Sequence, residues 1–392
     1  VITTFVFSNY FITSVVKDKS IGMAKWTMAM AISGILVAIL APVLGGICDN
    51  SRHRKPWAFC LMIVTVIGCV MLFYTKPNPG WAIWGIIFYI IANIGYECAQ
   101  VFYNSLMIGI APHSKIGKLS GWGWGLGYIG GIMCLFLSLY FVNSSHFSAE
   151  NSFNIRSTFL LVALWFLVFG LPMFFFTPDL MDKPLKKSAM QVVKGGFASL
   201  WGTIKEAKNY KYVFLYLIAH LLYADGLNTL LALGGVYAAS QFGMDFAQIL
   251  KFGIGMNVTA GVGAILFSWV DDKIGSKFTI MVSLLFLIIL SSSLLLVEKG
   301  HVELFVVIAL SLAVFVGPVQ SASRSYMSHV APKEKITQFF GLYALTGRLT
   351  SFLGPALVAF LTFVSHSQRI GMVSIVILFV LGAVVMFFVP KK

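Results

Sequence analysis

The chain consists of repeated apolar runs of about 20 residues, and most charged residues fall in the short stretches between them. A run of this length crosses the hydrocarbon core of a bilayer as an α-helix, whereas a strand of an outer-membrane barrel needs only about 10 residues of alternating polarity. Charged residues make up 11% of the chain, against roughly a quarter in soluble domains. We therefore predict an all-α integral membrane protein and exclude soluble enzymes and β-barrels.

Twelve apolar runs are predicted to be transmembrane helices, six on each side of a polar stretch; the second run extends from Trp26 to Cys48 and the eleventh from Gln338 to Val364. The predicted units are a six-helix bundle at residues 1–177, an amphipathic linker at residues 178–211 and a second six-helix bundle at residues 212–392. The first run, Val1 to Val16, is short for a bilayer span and begins without Met. We therefore expect the first helix to be truncated at its N-terminus.

The distribution of Lys and Arg over the loops predicts the orientation in the membrane. With both termini in the cytoplasm, 18 of the 28 basic residues lie on the cytoplasmic side and eight on the other side. Cytoplasmic loops carry the excess of Lys and Arg in membrane proteins. The net charge of +14 is therefore a topology signal, with no nucleic-acid partner. We predict a monomeric, multi-pass protein of a bacterial inner membrane, with both termini cytoplasmic.

The linker combines basic residues with an apolar set at helical spacing. Its seven lysines are Lys183, Lys186, Lys187, Lys194, Lys205, Lys208 and Lys211, and its apolar set is Val192, Val193, Phe197, Leu200, Trp201 and Ile204. This pattern predicts an amphipathic helix that lies on the anionic headgroups of membrane lipids as a basic tether. A calmodulin-like or lipid-sensing role is the alternative.

A loop motif occurs twice, once in each predicted bundle. Gly45 to Lys55 and Ser268 to Lys277 both contain a small residue, three further residues, an Asp and then a basic cluster. The two acidic residues are Asp49 and Asp272. Because the motif follows the second run of each bundle, we predict two parallel, pseudo-symmetric repeats.

These loops resemble the motif between helices 2 and 3 of the major facilitator superfamily. The resemblance implies the major facilitator fold, and it implies that Asp49 and Asp272 tie helix ends together when the cytoplasmic side is shut. The basic residues of these predicted gates are Arg54, Lys55 and Lys277. Arg52 replaces the usual Gly of the first motif, and Ser268 replaces the initial Gly of the second.

Three further segments make the resemblance more specific. Tyr223 to Thr229, Gly317 to Ser325 and Phe340 to Pro355 look like the "unknown major facilitator" branch, which is similar to the fungal vacuolar amino-acid effluxers of autophagy. The likeness extends over essentially the whole chain. It implies a secondary transporter, with amino acids or similar small polar metabolites as substrates.

Ionisable residues deep in apolar runs are costly and therefore indicate function. At a helical rise of about 1.5 Å per residue, Glu97 lies about 24 Å into its run, Asp225 about 20 Å and Arg348 about 15 Å. The spacing of four polar residues on the fourth run puts them on one helical face, directed to a water-filled cavity or to a polar seam between helices. These residues are Asn93, Glu97, Gln100 and Asn104.

The second bundle offers a matching polar set. Asn228 and Thr229 share a face with Asp225, and Ser351 shares a face with Arg348. A guanidinium binds carboxylates through two parallel hydrogen bonds, so Arg348 could receive a carboxylate from Asp225 or from substrate, with a permanent structural ion pair as the alternative. Gln320 and Arg324 lie near the cytoplasmic end of their run, where snorkelling to the headgroups is an alternative for Arg324.

No phosphate-binding loop, metal-ligand spacing or nucleophile motif is recognisable in the sequence. We therefore expect no enzymatic activity, no cofactor and no bound metal. The predicted function is secondary active transport of a small polar, amino-acid-like or carboxylate-bearing metabolite by alternating access, with proton as the coupling ion and Glu97 as its carrier. The alternatives are transport of larger amphiphilic compounds, or a non-transporting receptor or scaffold on the same fold.

Overall fold

The computed structural model describes residues 6–51, 54–143, 150–178, 189–205, 207–244, 246–349 and 353–390. Its described elements are helices and short turns. Ten of these helices are long and apolar enough to cross a membrane. The all-helical membrane class is thereby confirmed, whereas the number of twelve spans and the truncation of the first helix stay predictions.

The described part of the first half contains six helical elements. They are α1 (Ser8–Tyr10 continued by Phe11–Val16), α2 (Lys19–Ser51), α3 (Arg54–Phe73), α4 (Ala82–Ile110), α5 (Ile116–Asn143) and α6 (Phe153–Phe176).

The linker helix and the helices of the second half follow in the same manner. They are α7 (Ala189–Lys205), α8 (Lys211–Phe242), α9 (Phe246–Ile274), α10 (Ser276–Leu296), α11 (Val302–Val330), α12 (Ile336–Leu349), α13 (Leu353–Ser365) and α14 (Gln368–Phe387). The apolar run predicted at Gln338 to Val364 corresponds to α12 and α13 together.

Several helices are longer than the apolar runs that predict them. The second run begins at Trp26, but α2 begins at Lys19, because backbone hydrogen bonding continues into the polar residues beyond the hydrocarbon core. Glycines end some of the helices: Gly243 follows α8 with φ of 65°, a conformation that only glycine adopts without strain.

The turns that precede α5 and α12 are built alike. Pro112 and Pro332 each begin a short 3₁₀ turn, with the amide of Lys115 donating to the Pro112 carbonyl at 2.8 Å and that of Lys335 to the Pro332 carbonyl at 3.1 Å. Proline fixes the backbone at the start of both turns. Helices α5 and α12 therefore begin after equivalent turns in the two halves.

The two halves meet most extensively along two helix pairs, α2 with α12 and α5 with α9. Glycine permits both contacts: a Cβ atom on Gly341 would lie 2.5 Å from the carbonyl oxygen of Ala41, and one on Gly121 would lie 2.5 Å from that of Ala264. Small residues allow helix backbones to approach this closely. We call the side of the molecule on which these pairs converge, and on which α7 packs against α2, the linker side.

The halves separate toward the opposite side. Helix α12 packs against α2, but α13, which follows it away from the linker side, packs against α8 and α14 of its own half. Along α5, Gly121 and Gly125 are in close contact with α9, whereas a Cβ atom added to Gly131 would have no described atom of a neighbouring element within 4 Å. Among the described helices, the close contacts between the two halves therefore lie on the linker side.

Candidate functional site

Asp49, at the linker-side end of α2, joins the two halves. Its carboxylate accepts hydrogen bonds from the backbone amides of Thr337 at 3.2 Å and Gln338 at 2.7 Å, in the first turn of α12. These amides have no acceptor within their own helix, and the positive end of the helix dipole favours a carboxylate there. Asp49 thus caps a helix of the other half.

Arg54 extends the same contact. Its guanidinium lies 3.8 Å from the Asp49 carboxylate, and its Nε donates to the Thr337 hydroxyl at 3.1 Å. The two charged side chains are 2% and 5% exposed. A buried charge of this kind is tolerated only while its partners stay in place, so the cluster opposes separation of α2 from α12.

Asp272, at the linker-side end of α9, makes the equivalent contact from the second half to the first. Its carboxylate accepts a hydrogen bond from the backbone amide of Lys118 at 3.2 Å. Lys118 is the third residue of α5, just as Gln338 is the third residue of α12. Each half therefore caps one helix of the other half through the Asp of its repeated loop.

The other predicted basic residues bind within their own half. Lys55 donates to the carbonyl of Thr177, after the end of α6, at 2.7 Å. Lys277 donates to the carbonyl of Phe387, at the end of α14, at 2.8 Å, and also to that of Val389. They hold the loops of the gate to the last helix of each half, whereas Asp49, Arg54 and Asp272 each make at least one hydrogen bond to the other half.

Arg324 on α11 forms a third connection between the halves. Its Nε donates to the Ser120 hydroxyl at 2.9 Å, its Nη2 to the Ser120 carbonyl at 2.8 Å, and its Nη1 to the Asn104 side-chain oxygen at 3.3 Å. The guanidinium lies 5.5 Å from the centre of the Tyr103 ring. The side chain is buried between helices, so snorkelling to the headgroups does not describe its position.

The polar face of α4 contacts helices of both halves. Asn93 donates to the Ser33 hydroxyl on α2 at 2.8 Å, and Asn104 accepts from Arg324 on α11. Glu97 and Gln100 lie between them on the same face and are partly buried. The face is therefore directed to the protein interior between α2 and α11.

Asp225 on α8 is buried, and neither carboxylate oxygen has a hydrogen-bond partner within the described part of the chain. The neighbouring Thr229 hydroxyl donates to the Asp225 backbone carbonyl at 2.7 Å. Asn228 donates to the Gly347 carbonyl on α12 at 3.2 Å. The side chain of Arg348 and the whole of Ser351 lie outside the described residues, so the pairing of Asp225 with Arg348 stays a prediction.

Gln320 contributes a polar contact between the halves farther along α5 from the linker side than that of Ser120. The Tyr128 hydroxyl donates to its side-chain oxygen at 2.8 Å. This bond joins α5 to α11 and pairs Gln320, a residue predicted for the site, with Tyr128, which was not predicted for it. Spacing places Gln320 on the inner face of α11, but only the packing of the two halves reveals its partner.

Two features of the linker side involve residues that the sequence analysis did not predict. Asp271 is buried beside Asp272, and its carboxylate oxygens have no hydrogen-bond partner among the described residues. The imidazole rings of His113 and His329 stack across the halves with centroids 4.0 Å apart. The sequence around Asp271 does not single it out, because Asp272 matches the loop motif better. The histidine pair could not be inferred, because the two residues are distant in sequence.

No cluster of three or more His, Cys, Asp or Glu residues that could hold a metal ion occurs within the described ranges. The described polar groups of the site are carboxylates, the two buried guanidinium groups of Arg54 and Arg324, and side-chain amides. Such groups can bind a polar solute and can exchange protons with it or with water.

The chain matches a known protein family and is similar to proteins of bacteria and fungi. The family model described as "Vacuole effluxer Atg22 like" matches residues 10–392. An uncharacterized MFS-type transporter of Bacillus subtilis, YxiO, is 27% identical, with 100% of this chain and 91% of the relative covered. Autophagy-related protein 22 of Saccharomyces cerevisiae is 24% identical over 72% of this chain and 61% of the relative.

Solved structures of major facilitator proteins have the same fold. The proton:xylose symporter XylE has a TM-score of 0.77 at 18% identity, with 100% of this chain and 92% of that chain covered. FucP in the outward conformation has a TM-score of 0.74 at 13% identity, with 99% and 98% covered. At these identities the likeness establishes the fold alone.

Proposed function

The chain belongs to the Atg22-like family of major facilitator transporters, and from this premise we propose that it carries a small polar metabolite across the membrane by alternating access. Family membership confirms the resemblance recognised in the sequence, and it makes the chain a member of a transporter family and not an enzyme. The proposed substrate is amino-acid-like or carboxylate-bearing, and the proposed coupling ion is the proton.

The observation that carries this proposal is the pair of equivalent gate contacts on the linker side. Asp49 caps α12 and Asp272 caps α5, while α13 packs within its own half. An alternating-access transporter needs contacts that close one side and can break when the other side closes. With the linker side in the cytoplasm, as the basic loops indicate, the described conformation is the outward-facing state.

The polar residues between the halves provide the proposed binding surface. Asn228 and Gln320 present amides from α8 and α11, and Arg348 belongs to α12 next to the Gly347 carbonyl that Asn228 contacts. A guanidinium suits a carboxylate, and side-chain amides suit an amino or hydroxyl group. We assign recognition of the substrate carboxylate to Arg348.

We expect Arg348→Lys to weaken substrate binding about tenfold or more, because lysine keeps the charge but loses the two parallel hydrogen bonds. The substrate would first be found by a thermal-shift screen of metabolites, since a bound ligand raises the apparent stability of the purified protein. Calorimetry of the parent and the variant then gives the affinities. Arg369→Lys, at the start of α14, is the control and should bind as the parent does; unchanged affinity in Arg348→Lys and Arg348→Ala would assign Arg348 a structural role.

Both termini and the linker are proposed to lie in the cytoplasm. A cysteine at Ser188 should therefore resist a membrane-impermeant maleimide added to intact cells, while one at Asn143 should react, in a background without the native cysteines. Permeabilised cells provide the control, in which both positions must react. Labelling at Ser188 as strong as at Asn143 in intact cells would reverse the orientation.

Flux into liposomes tests the proposed function itself. Purified full-length chain, reconstituted with each ligand that raises its thermal stability, should exchange labelled for unlabelled compound across the membrane. A receptor or scaffold on this fold would bind the compound without moving it. Binding with no exchange would therefore reject transport in favour of the receptor alternative, and exchange restricted to large amphiphiles would reject the small polar substrate.

A further inference from the structure

The linker helix α7 has one face that no described part of the protein covers. Lys194, Phe197, Ala198, Trp201 and Lys205 recur at helical spacing and are all exposed. The exposed fractions of Phe197 and Trp201 are 52% and 60%, and the Lys205 ammonium lies 5.5 Å from the centre of the Trp201 ring. We call these five residues the aromatic-basic face.

The reverse face of α7 touches both halves of the protein. A Cβ atom on Gly196 would lie 2.7 Å from the backbone of Ile47 on α2, so the two helices are in close contact. The Thr203 hydroxyl is buried and accepts a hydrogen bond from Lys335 at 3.1 Å, in the turn before α12. Helix α7 therefore bridges α2 and the start of α12.

This bridge lies beside the gate. Ile47 is two residues before Asp49, and Lys335 is two residues before Thr337, whose amide donates to Asp49. If α2 and α12 separate, Gly196 and Thr203 cannot keep both contacts. Anything that holds α7 in this position therefore favours the state that is closed on the linker side.

We propose that the aromatic-basic face docks on anionic membrane lipids, and that this docking holds α7 across the closed gate. Exposed Phe and Trp rings between lysines match the boundary between acyl chains and phosphate headgroups. Helix α7 packs at the end of α2, whose apolar segment Ile21–Asp49 is long enough to span the membrane. The bilayer surface therefore lies close to α7 and offers a partner for its exposed aromatic rings. Each lysine strengthens binding to an anionic surface.

The lipid contact can be measured directly with a spin label at Ala198, in the full chain without native cysteines. In nanodiscs of equal parts phosphatidylcholine and phosphatidylglycerol, the label should collide more with lipid-soluble oxygen than with a water-soluble nickel chelate. A label at the exposed Lys333, in the turn before α12, should show the reverse order and serves as the control. Equal chelate accessibility at the two positions would overturn the proposal and leave the face to a soluble partner.

The effect on the gate needs a second readout. The distance between spin labels at Ser114 and Lys333, in the linker-side turns of the two halves, reports opening. Phosphatidylglycerol should raise the ratio of closed to open molecules, and Lys194→Gln and Lys205→Gln should each reduce that rise by about fivefold. The control Lys299→Gln, in the loop before α11, should leave it unchanged. If the ratio of closed to open molecules is the same with and without phosphatidylglycerol, the coupling between lipid and gate is wrong. Neither readout requires a transported substrate.

Discussion

Glu97→Gln is expected to abolish proton-driven accumulation of substrate while it preserves exchange of labelled for unlabelled substrate. The carboxylate lies on the interior face of α4, between Asn93 and Asn104, which contact the two sides of the cleft between the halves. In general, water in an open cavity stabilises a charged carboxylate, and desolvation in an occluded cavity favours the protonated form. Glutamine imitates the protonated form permanently and so removes coupling without closing the pathway.

The measurement uses proteoliposomes with an imposed pH gradient and the substrate found in the screen. Glu303→Gln is the matched control, because Glu303 is an exposed acidic residue at the first turn of α11. It should accumulate substrate as the parent does. If Glu97→Gln still concentrates substrate, Glu97 is not the proton carrier, and Asp225 or a sodium-coupled scheme replaces it.

The combined variant Asp49→Asn with Asp272→Asn is expected to reduce flux by at least about tenfold and to impair flux more than folding. A hydrogen bond to a charged group contributes about 1.5–3 kcal/mol, so losing one in each half shifts the equilibrium between closed and open linker sides by more than a factor of about ten. The asparagine side chain keeps the size of Asp but loses its charge at the helix end.

Initial rates of exchange and melting temperatures of the purified variants test this prediction. Asp18→Asn is the control, because the Asp18 carboxylate is exposed and accepts only from the nearby amide of Ile21 at 2.9 Å among its described bonds. Each single variant should fall between the parent and the double variant. Parental flux in the double variant would show that Asp49 and Asp272 do not act as gate residues.

The helical fold was predictable because burial in lipid leaves few options. Every backbone amide in the hydrocarbon core must find a partner within its own segment, so long apolar runs must be helices. The limits of the runs are less informative: α2 begins at Lys19, well before the predicted Trp26, since a helix does not end where the lipid ends. Polar residues such as Lys19 can extend it into the headgroup layer.

The candidate site was predictable in part. Spacing alone puts Asn93, Glu97 and Asn104 on one face, but it cannot tell which helix that face meets. Arg324 illustrates the difference, because its position near the end of a run is equally consistent with snorkelling, whereas three hydrogen bonds to Ser120 and Asn104 depend on how the two halves pack. Contacts between residues more than 200 positions apart are set by the fold as a whole.

For the linker helix, too, the sequence predicts the helix but not its contacts with the rest of the protein. Its amphipathic pattern predicts a helix on the membrane surface, and α7 is helical over Ala189–Lys205. The pattern does not reveal that Gly196 and Thr203 bridge the two halves beside Asp49. A glycine and a threonine carry too little hydropathy to mark a contact face.

Two sides that open alternately must move in opposite directions, and one distance measurement tests this most directly. Spin labels at Ser114 and Lys333 report the linker side, and labels at Asn143 and Lys251, toward the far ends of α5 and α9, report the opposite side. Pulsed double electron–electron resonance should find a short linker-side distance and a long opposite-side distance in the parent. In the Asp49→Asn and Asp272→Asn double variant, the linker-side distance should lengthen while the opposite-side distance shortens. Distances that stay fixed, or that lengthen together on both sides, would contradict alternating access.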